Sequence, residues 1–216
     1  MGSVKDVVLL ACGCFNPPTV FHLRMFELAR HKLQLLGFNV KAGYLSPASD
    51  GYRKHKASLI SKDHRLAMCK LACQSNEWIK VDEWEASQAE WSHTRQVIEN
   101  FEKRHCSSSL AVKFLCGADL LESFNTPGLW SEADMQFILD RGIVCVSRIN
   151  NKLSDIIQRN PILTKNIDNI IKVREFALND ASSTQVRNAV KDNNIIKYIV
   201  EDSVISYIHK NHLYVD

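Results

Sequence analysis

Residues 7–30 read VVLLACGCFNPPTVFHLRMFELAR. The first six residues form the apolar, β-branched run that is typical of a buried strand. Gly13 then lets the backbone turn, Pro17 and Pro18 stiffen the loop, and a helix is predicted to begin directly afterwards. Because a helix N-terminus presents backbone amides, this segment predicts an α/β unit with an anion site in its loop.

The same alternation continues along the chain. Short apolar runs predict strands at 7–11, 40–45, 78–81, 112–116, 143–146 and 170–173. The clearest helical patterns cover 21–36, 64–73, 91–105, 182–191 and 202–210, and the polar stretch 103–109 is predicted to be a loop. The pattern predicts a mostly parallel sheet with helices on both faces, and ligands outside the carboxyl ends of its strands.

Length and net charge limit the number of domains and the kinds of partner that the chain can have. A chain of 216 residues with 45% hydrophobic residues can bury one full core, so we expect a single domain over 1–216 with a helical C-terminal part at about 182–216. Lys plus Arg exceed Asp plus Glu by only 27 − 24 = 3. This balance is too small to indicate a nucleic-acid or membrane partner.

The cysteines indicate a reducing compartment. Their number, seven, is odd and no CxxC pair occurs, so we interpret them as reduced thiols. The N-terminal apolar run is too short for a signal peptide or a membrane span. We therefore expect an intracellular protein, first of all cytoplasmic, with the nucleus or mitochondrion left open.

Four motifs carry a resemblance to a known family. GCFNPPTVFH at 13–22 resembles the GxFxPxTxxH form of the HxGH motif, in the variant of eukaryotic nicotinamide mononucleotide adenylyltransferases. The stretches SPASDGYRKHK at 46–56, LCGADLLESFNTPGLW at 115–130 and NDASSTQVR at 179–187 agree with the family in order and spacing, with WEASQAEW at 84–91 between them. The resemblance implies a Rossmann-like three-layer α/β sandwich with a mostly parallel central sheet and a small C-terminal helical segment.

The implied activity is adenylyl transfer. ATP would condense with nicotinamide mononucleotide, and also with nicotinic acid mononucleotide, to give NAD and pyrophosphate by direct in-line attack. Because the attacking phosphate is already an anion, no general base or covalent intermediate is needed. Mg²⁺ would arrive with ATP, since the chain shows no Cys/His zinc cluster, and we expect no metal held by protein ligands alone.

The resemblance assigns the catalytic roles to His22 and Arg187, with an imidazolium holding charge on the leaving pyrophosphate. The implied ATP- and phosphate-binding set is Gly13, Cys14, Phe15, His22, Ser182, Ser183, Thr184 and Arg187. The residues alone leave two other interpretations open. His22 also fits a helix-capping or surface histidine, and Ser182 a plain N-cap.

A second set is implied for the mononucleotide and NAD: Lys54, Trp91, Thr94, Gly117, Asp119, Leu129, Trp130, Arg148 and Asn179. A tryptophan face suits a cationic pyridine ring. From the residues alone, Lys54 also fits a solvated basic loop, the two tryptophans fit core packing, and Asp119 fits the N-cap of a helix at 120–124.

Three positions depart from the family. Cys14 stands where Ser is usual, which removes a hydroxyl but keeps the backbone amide; Phe21 stands where the bacterial motif has Gly; and Ala181 replaces Ile. The rival functions are a sibling transferase with another acceptor such as phosphopantetheine, and a nucleotide-binding or chaperone-like protein without turnover. A dehydrogenase is disfavoured because no GxGxxG follows a strand. ATP, nicotinamide mononucleotide and NAD are the expected partners, and the expected assembly is a homo-oligomer.

Overall fold

The computed structural model describes residues 5–147, 153–177 and 181–215. Its strands are β1 (Lys5–Gly13), β2 (Phe38–Pro47), β3 (Ile79–Val81), β4 (Leu110–Gly117), β5 (Ile143–Ser147) and β6 (Ile170–Arg174). They form a six-stranded sheet in the order β3-β2-β1-β4-β5-β6. The six predicted strands are confirmed, since each overlaps one of these elements.

The pairing explains why apolar runs predicted the strands well. β1 pairs with β4, β4 with β5, and β5 with β6, each in parallel, with Leu10 opposite Phe114 and Cys116 opposite Cys145. Parallel strands covered on both faces need apolar residues at successive positions, and all five residues of β5 are buried. The strand order reverses at β1, so the carboxyl end of β1 is where this class of sheet binds ligands.

The helices fill the connections. They are α1 (Val20–Leu35), α2 (Lys62–Cys73), α3 (Trp84–Ser87), α4 (Thr94–His105), α5 (Ala118–Ser123), α6 (Glu132–Arg141), α7 (Leu153–Gln158), α8 (Pro161–Lys165), α9 (Ser183–Lys191) and α10 (Asp202–Lys210). Short 3-10 helices cover Asp50–Lys54 and Ile167–Asn169. The helix predicted at 202–210 has the predicted bounds, and the C-terminal part contains two helices, as expected.

Two predicted boundaries were wrong, and the structure excludes the N-cap alternative for Asp119. α4 begins at Thr94, not at residue 91, because His93 caps it: the His93 backbone N–H donates to the Gln96 side chain at 2.8 Å. α4 also continues to His105, so the loop expected at 103–109 begins only at Cys106. Asp119 is not the N-cap of α5; Gly117 holds that position and Asp119 lies in the first turn.

The chain divides into two compact units. The first comprises 1–11, 25–43 and 93–179, and the second comprises 12–24, 44–92 and 180–216. In the first unit an ion pair joins two helices: Arg141 of α6 contacts Glu102 of α4 through Nε–Oε1 at 2.9 Å and Nη2–Oε2 at 3.0 Å. This two-bond geometry fixes the orientation of the guanidinium as well as its charge.

The second unit has an apolar core of its own. Its buried residues are Met68, Ala72, Val186, Ile196, Val200, Val204, Ile208 and Leu213. They come from α2, α9, α10, the segment between α9 and α10, and the residues after α10, which include Leu213. Burial of these residues anchors the C-terminal helices. Among the residues that the structure describes, no helix has both the length and the apolar character needed to cross a membrane.

Candidate active site

The end of β1 and the loop that follows it are held through backbone carbonyls. Four carbonyls accept hydrogen bonds from distant parts of the second unit: Gly13 O from Ala48 N at 2.9 Å, Cys14 O from Arg65 Nη1 at 3.2 Å, Asn16 O from Arg187 Nη1 at 2.9 Å, and Pro17 O from Ser183 Oγ at 2.8 Å. In a planar trans peptide the N–H points opposite to its carbonyl. The amides of Cys14 and Phe15 therefore face away from these donors, as an anion-binding loop requires.

His22 has a defined tautomer in this geometry. Its Nδ1 lies 3.0 Å from the backbone N of Thr19 and 2.8 Å from Thr19 Oγ1. Because a backbone N–H can only donate, Nδ1 accepts and the ring proton resides on Nε2. In this geometry Nε2 is the ring nitrogen that can donate, and the imidazolium expected to hold charge on the leaving pyrophosphate stays a prediction.

His22 also caps its own helix, as one of the two alternative interpretations proposed. It is the third residue of α1 and its ring binds the backbone of Thr19, the residue that precedes the helix. This contact is the histidine counterpart of the return bond in a capping box. Since only Nδ1 is used for it, capping and a contact of Nε2 with phosphate are compatible.

The start of α9 is built from the three hydroxyl residues of the last motif. Ser182 is the N-cap, and its side chain accepts from Gln185 N at 3.3 Å. Ser183 binds Pro17 O, and Thr184 Oγ1 accepts from Arg187 Nη2 at 3.2 Å. Ser183 and Arg187 of the last motif therefore contact Pro17 and Asn16 of the first motif, which lie 166 and 171 positions earlier in the chain.

Cys14 is a neutral thiol. Burial raises its pKa, although the nearby charges of Lys56, Arg65 and Arg187 act in the opposite direction. A thiol whose pKa is raised is a poor nucleophile at neutral pH. This agrees with a reaction that needs no covalent enzyme intermediate.

Lys54 ends the 3-10 helix that follows β2. Its Nζ lies 3.2 Å from Glu90 Oε2, and the two side chains are 73% and 80% exposed. An ion pair this exposed contributes little to stability and exchanges readily for another anion. Lys54 is therefore accessible to a phosphate, as the sequence interpretation requires.

Trp91 lies outside any helix and packs against two aromatic rings. The rings of Tyr52 and His55 lie 5.7 and 4.9 Å from its ring centroid. Gly51 lies so close that a Cβ there would be 2.4 Å from the Trp91 backbone N. The segment around Lys54 and the Trp91 segment are thus in direct contact within the second unit.

The remaining predicted residues belong to the first unit. Gly117 ends β4, Asp119 is exposed, and Thr94 opens α4. Trp130 donates from Nε1 to Ser123 Oγ at 2.9 Å and its ring lies 4.7 Å from that of Phe124, while Leu129 is 55% exposed. Arg148 and Asn179 lie outside the described residues, so their predicted roles stay predictions.

Sequence reasoning missed Arg65, a fully buried cation of α2. It donates from Nε to Ile60 O at 3.0 Å, from Nη1 to Cys14 O, and from Nη2 to Asp50 Oδ1 at 3.1 Å. A signal was present in the sequence: on a helix, position 65 shares one face with Met68, Cys69 and Ala72. A charge within an apolar stripe indicates a buried, fully bonded side chain.

Glu85 of α3 was also missed. It is 4% exposed, and its Oε2 accepts a 2.6 Å hydrogen bond from Ser46 Oγ at the end of β2. Burial raises its pKa to about 8, against smaller opposing effects of the Ser46 bond and the Arg65 charge. Glu85 is therefore protonated at neutral pH, and its short helix gave no periodic pattern that could have marked it.

Within the residues that the structure describes, no group of three or more His, Cys, Asp or Glu side chains could hold a metal ion. All seven cysteines are free, as predicted.

The chain is similar to several known proteins. A family model described as Cytidylyltransferase-like matches residues 10–189. The chain is 43% identical over 217 residues to a nicotinamide/nicotinic acid mononucleotide adenylyltransferase of Arabidopsis thaliana, covering 97% of this chain and 90% of that protein. It is 37% identical over 251 residues to nicotinamide/nicotinic acid mononucleotide adenylyltransferase 1 of Bos taurus, covering 97% and 89%.

Among solved structures, the chain is similar to Plasmodium falciparum nicotinic acid mononucleotide adenylyltransferase complexed with NaAD. The TM-score is 0.73 at 20% identity, with 97% of each chain covered. This likeness confirms the Rossmann-like α/β fold. From the sequence matches, the chain belongs to the Cytidylyltransferase-like family and, within it, to the nicotinamide/nicotinic acid mononucleotide adenylyltransferases.

Proposed function

We propose that this chain transfers the adenylyl group of ATP to nicotinamide mononucleotide, and to nicotinic acid mononucleotide, in the biosynthesis of NAD. Relatives that it matches over nearly their whole length are named for this activity. The structural observation that carries the proposal is the junction of the first and last motifs, where Arg187 and Ser183 bind Asn16 O and Pro17 O. Both motifs belong to the predicted polyphosphate site.

In the proposed reaction, a 5′ phosphate oxygen of the mononucleotide attacks the α phosphorus of ATP. The new P–O bond forms as the bond between the α phosphorus and the bridging oxygen breaks, and the electron pair leaves with pyrophosphate. The nucleophile needs no deprotonation at neutral pH. Catalysis then depends on positioning and on stabilising negative charge.

The phosphate-binding roles follow from the donors that the loop presents. His22 offers Nε2–H, Cys14 and Phe15 offer backbone amides, and Arg187 retains guanidinium donors beyond the two that bind Asn16 O and Thr184 Oγ1. These groups stabilise the charge that grows on the leaving pyrophosphate. Mg²⁺ bound to ATP supplies further charge neutralisation.

The acceptor side is proposed from the remaining residues. Lys54 binds the mononucleotide phosphate, in exchange for its surface pair with Glu90. Trp91, Trp130, Thr94 and Leu129 are the residues proposed to contact the pyridine ring. Gly117 and Asp119 are proposed to bind ribose, and Arg148 and Asn179 to contact the adenine.

Three broader expectations also remain proposals. The polypeptide acts as one nucleotidyltransferase domain over 1–216, it assembles as a homo-oligomer, and it is intracellular. Seven free thiols support the last of these, because a reducing compartment keeps cysteines unpaired. Sedimentation of the purified protein would measure the assembly directly.

The activity is tested by giving the purified chain ATP, Mg²⁺ and one acceptor at a time, and following dinucleotide and pyrophosphate. We expect both pyridine mononucleotides to react and phosphopantetheine to remain unchanged. Turnover of phosphopantetheine in their place would favour the sibling transferase. Thermal stabilisation by NAD with no synthesis would favour a binding protein without turnover.

A further inference from the structure

Arg65 combines full burial with contacts to three separate segments. Its guanidinium binds Ile60 O, Cys14 O and Asp50 Oδ1, and the side chain is 0% exposed. A charge removed from water is costly unless hydrogen bonds and a counter-ion replace the lost solvation. A leucine or methionine would fill a similar volume without the cost of burying a charge. The three polar contacts of Arg65 are therefore the feature that its role must explain.

One of the contacts sets the orientation of the loop at residues 14–19, which follows β1 and is the proposed ATP loop. Arg65 Nη1 holds the Cys14 carbonyl at 3.2 Å, so the Phe15 amide of the same peptide points the opposite way. Phe15 has φ of 46°, a conformation that non-glycine residues rarely adopt and that its surroundings must maintain. Arg65 supplies one of those restraints.

The second contact reaches the acceptor side. Asp50 Oδ1 accepts from Arg65 Nη2 at 3.1 Å and from Lys62 N at 2.8 Å. Asp50 opens the 3-10 helix whose last residue is Lys54. A single guanidinium therefore contacts the loop of Cys14 and the short helix that carries Lys54.

We propose that Arg65 is a positioning residue for adenylyl transfer, which fixes the ATP loop relative to the Lys54 helix through Cys14 O and Asp50. The inference rests on the proposed function and adds to it a residue that touches neither substrate. In-line attack requires the two reacting phosphates to meet in one narrow geometry. A shared buried partner keeps both of their binding segments in register.

Arginine is suited to this task because its planar fork can bind three acceptors that lie in different directions. A lysine keeps the charge but has one terminal nitrogen, which cannot span Nε, Nη1 and Nη2 contacts together. Asp50→Asn is a milder change that keeps the shape of the partner and removes its charge. The pair of variants separates the geometry of the contact from its charge.

The experiment measures kcat and both KM values of the full chain for wild type, Arg65→Lys, Asp50→Asn and the control Lys70→Gln. Lys70 lies on the same helix and has an exposed ion pair with Glu83. We expect Asp50→Asn to raise the mononucleotide KM about tenfold with a much smaller change for ATP, and Arg65→Lys to lower kcat about tenfold and raise both KM values. The control should match wild type.

Circular dichroism at the assay temperature establishes that each variant is folded. If Arg65→Lys does not fold, Asp50→Asn decides the question alone. A variant Asp50→Asn with a lowered Tm but wild-type kcat and KM values would show a merely structural contact and overturn the inference. A wild-type chain that makes no dinucleotide would overturn the proposed function, and the inference with it.

Discussion

Arg187 Nη1 donates a 2.9 Å hydrogen bond to the backbone carbonyl of Asn16, a residue 171 positions earlier in the chain. The same guanidinium binds Thr184 Oγ1 through Nη2. Arg187 thus occupies the junction between the loop after β1 and the first turn of α9. Its position ties the geometry of the loop to that of the last motif.

Replacing Arg187 by Lys keeps the positive charge and removes the fork. We expect kcat/KM for NAD synthesis to fall about tenfold to a hundredfold, because one ammonium cannot replace several directed donors. Steady-state kinetics with ATP and nicotinamide mononucleotide measures the loss. Lys191→Gln on the same helix, an exposed cation, should leave the rate unchanged; an equal loss in both variants would indicate a general charge effect.

His22→Ala removes the proposed Nε2–H donor. We expect kcat to fall about a hundredfold or more, which is the usual cost of losing one donor to a developing oxyanion. The lost bond to Thr19 should also lower stability by about 1 kcal/mol, as for other helix caps. His31→Ala, an exposed histidine of the same helix, is the matched control. Wild-type turnover by folded His22→Ala would rule out the catalytic role.

Gly51→Ala should disturb the Trp91 segment. A Cβ at residue 51 would lie 2.4 Å from Trp91 N and 2.8 Å from Glu90 C, and both are backbone atoms that cannot rotate away. We expect a loss of about 1–3 kcal/mol in the free energy of unfolding, typical of overpacking, and a raised mononucleotide KM. Urea denaturation and kinetics at varied acceptor concentration test the two effects. An unchanged KM would argue against a ring-binding role for Trp91.

The buried carboxyl of Glu85 predicts a pH dependence of stability. The unfolded chain loses this proton near the ordinary glutamate pKa of 4.5, whereas the folded chain keeps it to about 8. Between these values the folded state binds one more proton, so the free energy of unfolding falls as pH rises, by at most about 1.4 kcal/mol per pH unit. Urea denaturation from pH 5 to 8 measures it.

Glu85→Gln is the matched variant, since an amide keeps an acceptor for Ser46 Oγ and does not titrate over this range. As pH rises from 5 to 8, the free energy of unfolding of the wild type should fall relative to that of Glu85→Gln. Parallel curves across this range would show that Glu85 has the same protonation state in the folded and unfolded chains.

The sequence predicted the strands because their signal is local. In a parallel sheet buried on both faces, apolar residues must follow one another, and the run before Gly13 is visible without its neighbours. The start of α4 was misplaced because apolar periodicity continues back to Trp91. The start is set by the N-cap residue His93 and its bond to Gln96, which the periodicity does not record.

The site was only partly predictable because some of its residues depend on tertiary contacts. Motif spacing identifies residues such as His22 and Arg187, whereas Arg65 and Glu85 take their roles from partners that lie 51 and 39 positions away. The tautomer of His22 likewise depends on the Thr19 backbone amide, a contact that only the folded loop creates. Sequence gives residue types, whereas these roles arise from tertiary hydrogen bonds.

The proposed site requires that residues from both ends of the chain bind one polyphosphate, and a double-mutant cycle with His22→Ala and Arg187→Ala tests this directly. We express kcat/KM for NAD synthesis in each variant as a fraction of the wild-type value. If both side chains act on the same ATP phosphates, the fraction that the double variant retains should be well above the product of the two single-variant fractions. Single effects that multiply fully, or a single variant that retains wild-type synthesis, would contradict a shared site.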